Sequence, residues 1–249
     1  MNLTDKVALV TGGTRGIGAA TAIALAREGA HVAINGRHDD PEAQATRQAI
    51  LAPGHRCELL LADCARPEEA TRCVHETVER LGSVDVLVHC AGGPVNGGLF
   101  DLSPEAWLSA FDVHVHAVFH LCRAAVPHMR ARREGAIVLI SSVSGLRGII
   151  TNVAYQVAKG AVPQFARALA REFAPDNIRV NCVAPGVIRT AFHKHMSEAQ
   201  RKLNLEQRIP LRREGTPEQV AGLIVELVKN DYLTGEMFTI DGGLTMRIA

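Results

Sequence analysis

The stretch Val7-Ala-Leu-Val-Thr-Gly-Gly-Thr-Arg-Gly-Ile-Gly18 decides the fold. Residues 7–10 are a short β-rich run, and the glycines that follow have the spacing G-x-x-x-G-x-G at Gly12, Gly16 and Gly18. Ile17, Ala20, Thr21, Ala24, Leu25 and Glu28 then keep helical spacing until Gly29 stops the helix. A pyrophosphate needs backbone N–H groups at close range and the positive end of a helix, and glycines permit that approach. A glycine cluster alone is also compatible with a plain tight turn. Its place between the first strand and the first helix points to a dinucleotide site.

Working outward, further strand-like runs lie at 32–35, 58–62, 84–90, 136–141, 178–183 and 237–240. Helical stretches separate most of them, including one marked by Val74, Val78 and Leu81. The pattern implies βαβ crossovers. The fold class is therefore α/β, a doubly wound (Rossmann) parallel sheet of about seven strands with helices on both faces. No Pro/Gly/Ser-rich linker or repeat interrupts the 249 residues, so one domain is expected. The long irregular segment after Gly186, at about 187–216, reads as a lid over the substrate.

Composition narrows the function. With 27 basic and 26 acidic residues the net charge is +1, and aromatics number 7 Phe, 1 Trp and 2 Tyr, which disfavours a nucleic-acid binder. No apolar run is long enough to span a bilayer, so no membrane partner is expected. The start lacks a signal-peptide pattern, and the six cysteines show no C-x-x-C pair, which suggests a reduced, cytoplasmic setting.

The end of the second strand, Asn35-Gly36-Arg37, carries no acid before Asp39 and Asp40. An acid there would bond a free ribose 2′-OH, whereas Arg37 and Arg15 suit a 2′-phosphate, so NADP(H) is expected over NAD(H). The alternatives are solvated arginines, or Asp39 turned back to the ribose. Tyr155 and Lys159 are spaced i, i+4 on a helix rich in Ala158, Val162, Phe165, Leu169 and Phe173, which puts phenol and ammonium on one face. A tyrosine works near neutrality only if a positive charge lowers its pKa, and Lys159 can supply it. Ser141-Ser142 ends the fifth strand, where a hydroxyl emerges at the ligand-binding edge of the sheet.

Together these residues resemble the short-chain dehydrogenase/reductase family, in its single-domain branch, and within it are similar to 3-oxoacyl-[acyl-carrier-protein] reductases. The resemblance implies that Tyr155 handles the proton of the substrate oxygen. It implies that Lys159 lowers the tyrosine's pKa and holds the nicotinamide ribose, and that Ser142 rather than Ser141 orients the carbonyl. It implies a cofactor site of Gly12, Thr14, Arg15, Gly16, Ile17 and Gly18, with Arg37, Asp63 near the adenine, and Ala91 and Gly92. Tyr155, Lys159, Pro185, Gly186, Ile188 and Thr190 complete that site. Asp241-Gly242-Gly243 is similar to the family's closing motif, and a homotetramer is the usual assembly.

Two departures stand out. The family's Asn-Asn-Ala-Gly reads His89-Cys90-Ala91-Gly92 here, which removes the support of two asparagines. Seven residues after Trp107, where the family has an asparagine in its proton relay, stands His114. Histidine bonds water and titrates near neutral pH, so the relay either survives in altered form through His114 or is lost, and activity is expected to persist because the three main catalytic groups are present. His114, His116 and His120 do not share one helix face, and no metal is expected.

Between 187 and 213 seven basic residues face only Glu198 and Glu206, and Arg130, Arg132 and Arg133 form a second basic patch. Both could steer an anionic acyl-thioester carrier, although Asp176 stands where such reductases often carry a base. A smaller carbonyl substrate remains open. The leading reading is an NADP-dependent oxidoreductase acting on a carbonyl/alcohol pair. The alternatives are a catalytically silent nucleotide-binding sensor or scaffold, and an NAD-dependent alcohol dehydrogenase of the same family.

Overall fold

The computed structural model describes residues 1–52, 54–150, 152–194 and 196–246. Seven strands form one parallel sheet: β1 Val7–Thr11, β2 His31–Gly36, β3 Cys57–Leu61, β4 Val86–His89, β5 Gly135–Ile140, β6 Ile178–Pro185 and β7 Met237–Ile240. Their spatial order is β3-β2-β1-β4-β5-β6-β7. The order reverses between β1 and β4, and in open α/β sheets the crevice beyond that reversal is where ligands bind. Every residue of β1, β4, β5 and β6 is buried, as expected of strands covered on both faces.

Helices α1 Gly16–Arg27, α2 Pro41–Leu51, α3 Pro67–Leu81, α4 Pro104–Phe111, α5 Ala117–Arg132, α6 Val153–Phe173, α7 Glu198–Leu203 and α8 Pro217–Lys229 complete the order. One core packs Leu25 of α1, Ile50 of α2 and Ile224 of α8 against Val10, Ile34 and Val138. The other packs Val74 of α3, Leu121 of α5 and Val162 of α6 against Leu9, Leu87 and Val180. Thr216 and Gln219 form a reciprocal capping box at the start of α8. The sequence-read strand at 84–90 is shorter in the structure. At its amino end Asp85 accepts from the Val7 N–H and the Ser83 hydroxyl, both on Oδ2 at 2.9 and 2.8 Å.

The segment expected to be irregular is partly helical. It holds a 3-10 turn Ala191–His193, α7, and a π-helical turn Asn204–Arg208. Of the expected lid, His195 lies outside the described residues. A second π-helical turn, Asp112–His116, joins α4 to α5 without a break.

Candidate active site

One cleft at the carboxyl ends of the strands gathers every residue expected to be catalytic or cofactor-binding, from the Gly12–Gly18 turn to Ser142, Tyr155, Lys159, His114 and Thr190. Its volume of about 2680 Å³ exceeds the roughly 300–1,000 Å³ of ordinary small-ligand pockets and leaves room for a dinucleotide beside a substrate. The glycine turn is packed backbone on backbone. Gly12 has φ +62°, and a Cβ on it would lie 2.7 Å from the Ala91 nitrogen; one on Gly18 would lie 2.1 Å from the Gly12 carbonyl oxygen. That geometry fits a dinucleotide, because the main chain of α1's first turn lies bare along the cleft.

Asn35, read in the sequence only as a strand end, ties this turn to β3: its main-chain O accepts from Gly13 N at 2.9 Å and its Oδ1 from Gly12 N at 3.4 Å, while its Nδ2 donates to Leu60 O at 3.1 Å and Ala62 O at 3.0 Å. Of the two arginines, Arg15 departs from expectation and Arg37 does not. Arg15 is paired with Asp40 and, at 2.9 Å, with Glu42, so its charge is already balanced. The reason is local: Asp40 caps α2 by accepting from Ala43 N at 3.0 Å, which holds its carboxylate beside Arg15. The Ala43 N–H bond foremost, and then Arg15, keep the Asp40 carboxyl below its usual range. Arg37 is exposed, lines the cleft and has no ion pair among the described residues. Asp39 is held toward α2 by the Gln44 amide, away from a ribose role. Asp63 lines the cleft and accepts from Ala65 N at 3.0 Å.

At the other end, α6 carries Tyr155 and Lys159 into the interior, both buried. The Lys159 ammonium donates to Ile140 O at 2.7 Å and lies 5.8 Å from the Tyr155 ring centroid. Burial lowers its pKa to about 8. The two serines point different ways: the Ser141 hydroxyl donates to Lys159 O at 2.7 Å, while Ser142 is hydrogen-bonded to Tyr155. Ser142 Oγ also accepts from Ser144 N at 3.1 Å. Burial raises the Tyr155 pKa and the Ser142 hydrogen bond opposes it, so the phenol is held in its acid form.

The expectation that His114 titrates near neutral pH is corrected. It is 1% exposed, and burial first, then the Lys159 charge, push its pKa down to about 2, so it does not titrate near neutrality. Its Nε2 meets Gly93 O at 3.1 Å. A carbonyl only accepts, so Nε2 carries the hydrogen and Nδ1 is a bare acceptor, buried and without a partner among the described residues. The ring stands edge-on to Tyr155 at 5.4 Å. Gly92, at φ +145°, leaves it room: a Cβ there would lie 2.1 Å from the His114 ring.

His89 restores the support that the missing asparagines suggested was lost. Its Nε2 donates to Val113 O at 2.9 Å, so Nδ1 accepts from the Thr11 hydroxyl at 2.8 Å, tying β1 and β4 to the π-helical turn. Burial keeps it neutral, with a pKa of about 4. His116 pairs with Asp112 at 3.0 Å and the His120 ring packs on Phe119. A residue the sequence did not flag, Phe192 of the 3-10 turn Ala191–His193, lies with its ring 5.9 Å from that of Tyr155.

A family model described as enoyl-(acyl carrier protein) reductase matches residues 12–245. The chain belongs to the short-chain dehydrogenase/reductase family. It is 36% identical over 244 residues to the 3-oxoacyl-[acyl-carrier-protein] reductase FabG of Chlamydia muridarum, covering 97% of this chain and 98% of that protein. It is 36% identical over 250 residues to dehydrogenase/reductase SDR family member 4 of Oryctolagus cuniculus, covering 99% and 96%. The L-sorbose reductase of Gluconobacter frateurii, solved with NADPH and L-sorbose, superposes with a TM-score of 0.91 at 30% identity, covering all of both chains. As a short-chain dehydrogenase/reductase the chain is an oxidoreductase that binds a nicotinamide cofactor.

For this short-chain dehydrogenase/reductase the charge expectations change. Arg130, Arg132 and Arg133 end α5 at the amino edge of the sheet, opposite the cleft. Arg130 pairs with Asp176 at 2.7 Å, Arg132 with Asp85 at 2.9 Å, and Arg133 donates to Pro175 O at 2.9 Å. A carrier docked there would face a surface in which two of the three charges are balanced, at the end opposite the cleft. In the lid, Glu214 lies one residue beyond the stretch counted in the sequence and pairs with Arg201 at 2.9 Å and Arg189 at 3.8 Å. Glu214 therefore offsets one unit of the excess, and seven basic residues still face three acids over 187–214. Among the described residues no helix is long and apolar enough to cross a membrane.

Proposed function

We propose that this short-chain dehydrogenase/reductase is an NADP(H)-dependent reductase of carbonyl compounds, with Tyr155 as the general acid/base. The observation that carries the reading is the buried Ser142–Tyr155–Lys159 group, whose phenol is held protonated inside the cleft. A bound nicotinamide would supply the hydride. Tyr155 gives its proton to the substrate oxygen, Ser142 orients that oxygen, and the Lys159 ammonium stabilises the phenolate left behind. Lys159 holds that charge below about pH 8. His114 acts as a neutral positioning residue. It anchors the 91–93 turn and offers Nδ1 as an acceptor, without carrying a proton as imidazolium.

Arg37, the cation at the end of β2 without a carboxylate partner, supports NADP(H) over NAD(H). The turn residues Gly12, Thr14, Gly16, Ile17 and Gly18 would hold the pyrophosphate side, with Arg15 flanking it. Asp63, Ala91 and Gly92 would border the adenine side and the middle of the dinucleotide, and Pro185, Gly186, Ile188 and Thr190 its nicotinamide side. We read the chain as one domain with 187–216 as its lid, working in a reducing, cytoplasmic setting. Exposed Phe119 of α5 and Val157 of α6 support self-association, read as a homotetramer.

The test is NADPH and NADH titration by fluorescence, with Arg37→Asp and Tyr155→Phe alongside. NADPH preference should collapse at least about tenfold in Arg37→Asp. Tyr155→Phe should keep NADPH binding and lose roughly 10²–10⁴-fold in turnover of a carbonyl substrate. Full turnover in Tyr155→Phe would overturn the assignment of the acid. Equal binding of both dinucleotides by the wild type would overturn NADP(H).

A further inference from the structure

The substrate end of the cleft has an apolar wall and a charged mouth. Val95, Ile149, Phe192, Met196 and Leu203 line the wall, and Phe192 continues it onto Tyr155. Arg147, Arg189, Arg208 and Arg212 line this cleft, and Thr245, which Arg147 reaches, lies three residues from Gly242, whose carbonyl accepts from Leu211 N at 3.1 Å beside Arg208 and Arg212. Two of them are engaged within the lid. Arg189 faces Glu214 at 3.8 Å, and Arg212 donates from Nη1 to Glu206 O at 3.0 Å. Arg147 donates one N–H to Thr245 O at 3.1 Å, which leaves the rest of its fork without a carboxylate among the described residues. Arg208 is exposed at the end of the π-helical turn and makes no ion pair among the described residues. Glu206 is the carboxylate lining this end, and Lys202 stands 3.9 Å from it.

We propose that Arg208 and Arg147 form a subsite for an oxyanion, carboxylate or phosphate, at the far end of the substrate. The substrate is then an elongated molecule. Its carbonyl meets Tyr155, its apolar middle lies along the Ile149–Phe192 wall, and its anionic end reaches the mouth. Guanidinium forks match such oxyanions bidentately. The proposal rests on the reading of the site as carbonyl-binding, and it deepens that reading by naming the substrate's other end.

The test uses the whole chain saturated with the dinucleotide it binds, so that the Arg37 end of the cleft is filled. Calorimetric affinities are measured for a medium-chain hydroxy acid, its methyl ester, and an alkyl phosphate of the same length. The acid or the phosphate should bind about tenfold tighter than the ester at low salt, with the advantage shrinking in high salt. Whichever of the two binds tighter identifies the oxyanion's source. The advantage should fall toward unity in Arg208→Gln combined with Arg147→Gln, and persist in part in Arg208→Lys. Equal affinities in the wild type would overturn the subsite, as would an advantage left intact in the double variant. NADPH oxidation with the matching oxo compounds is followed in parallel. An oxyanion preference without turnover would uphold the subsite and overturn the reductase reading, whereas turnover without preference would do the reverse.

Discussion

At the glycine turn the wall of the cleft is main chain, held by main chain: Gly18 abuts the Gly12 carbonyl, and Gly12 abuts Ala91. At the lid the wall is made of side chains on one short helix and two irregular turns, held by ion pairs such as Arg201–Glu214. The first arrangement accepts no added atom, so it recognises what every relative must bind. The second can exchange one side chain for another at small cost, and that is where discrimination between substrates can be built.

The sharpest way to break this contrast is Gly18→Ala. With its Cβ 2.1 Å from a carbonyl oxygen, the turn must shift, at a cost of about 3 kcal/mol or more. Dinucleotide affinity should fall by at least about a hundredfold, and the melting temperature by several degrees. Unchanged titration and melting curves would show the turn to be as tolerant as the lid.

A middle-sized effect comes from the two buried histidines between these regions. Their folded pKa values, about 4 for His89 and about 2 for His114, lie below the ordinary 6.5. As pH falls below 6.5 the unfolded chain takes up protons that the folded one refuses, so stability drops with falling pH. The loss is about 2 kcal/mol per histidine at pH 5. His114→Asn should roughly halve the acid-induced fall in melting temperature between pH 7 and pH 5. An undiminished fall would mean that His114 is not the buried neutral group described.

The smallest effect belongs to the lid. Glu214→Gln removes a partner shared by two half-exposed arginines and should cost no more than about 1 kcal/mol, read as a slight drop in melting temperature that salt abolishes. A loss as large as that of Gly18→Ala would make the lid as rigid as the turn.

Strands and glycine turn were legible because burial on both faces writes them as continuous apolar runs. The i, i+4 pair Tyr155 and Lys159 was legible for the same kind of reason. The lid's helix was not, since Glu198–Leu203 buries no residue and so leaves no periodic stripe. The π-helical turn at Asp112–His116 has no sequence signature either. Without its i→i+5 bonding the burial of His114, and hence its neutrality, was out of reach. Arg15 was misread because its partners, Asp40 and Glu42, sit on a different helix. Glu214 was missed because it falls just past the stretch in which charges were counted.

Phe192 lies ring to ring with Tyr155, and it is carried by the lid itself. On the reading proposed above, with Tyr155 as the proton donor and 187–216 as the lid, opening of that segment lifts an aromatic cover from the phenol, so that release of product and rewetting of the phenol become one event.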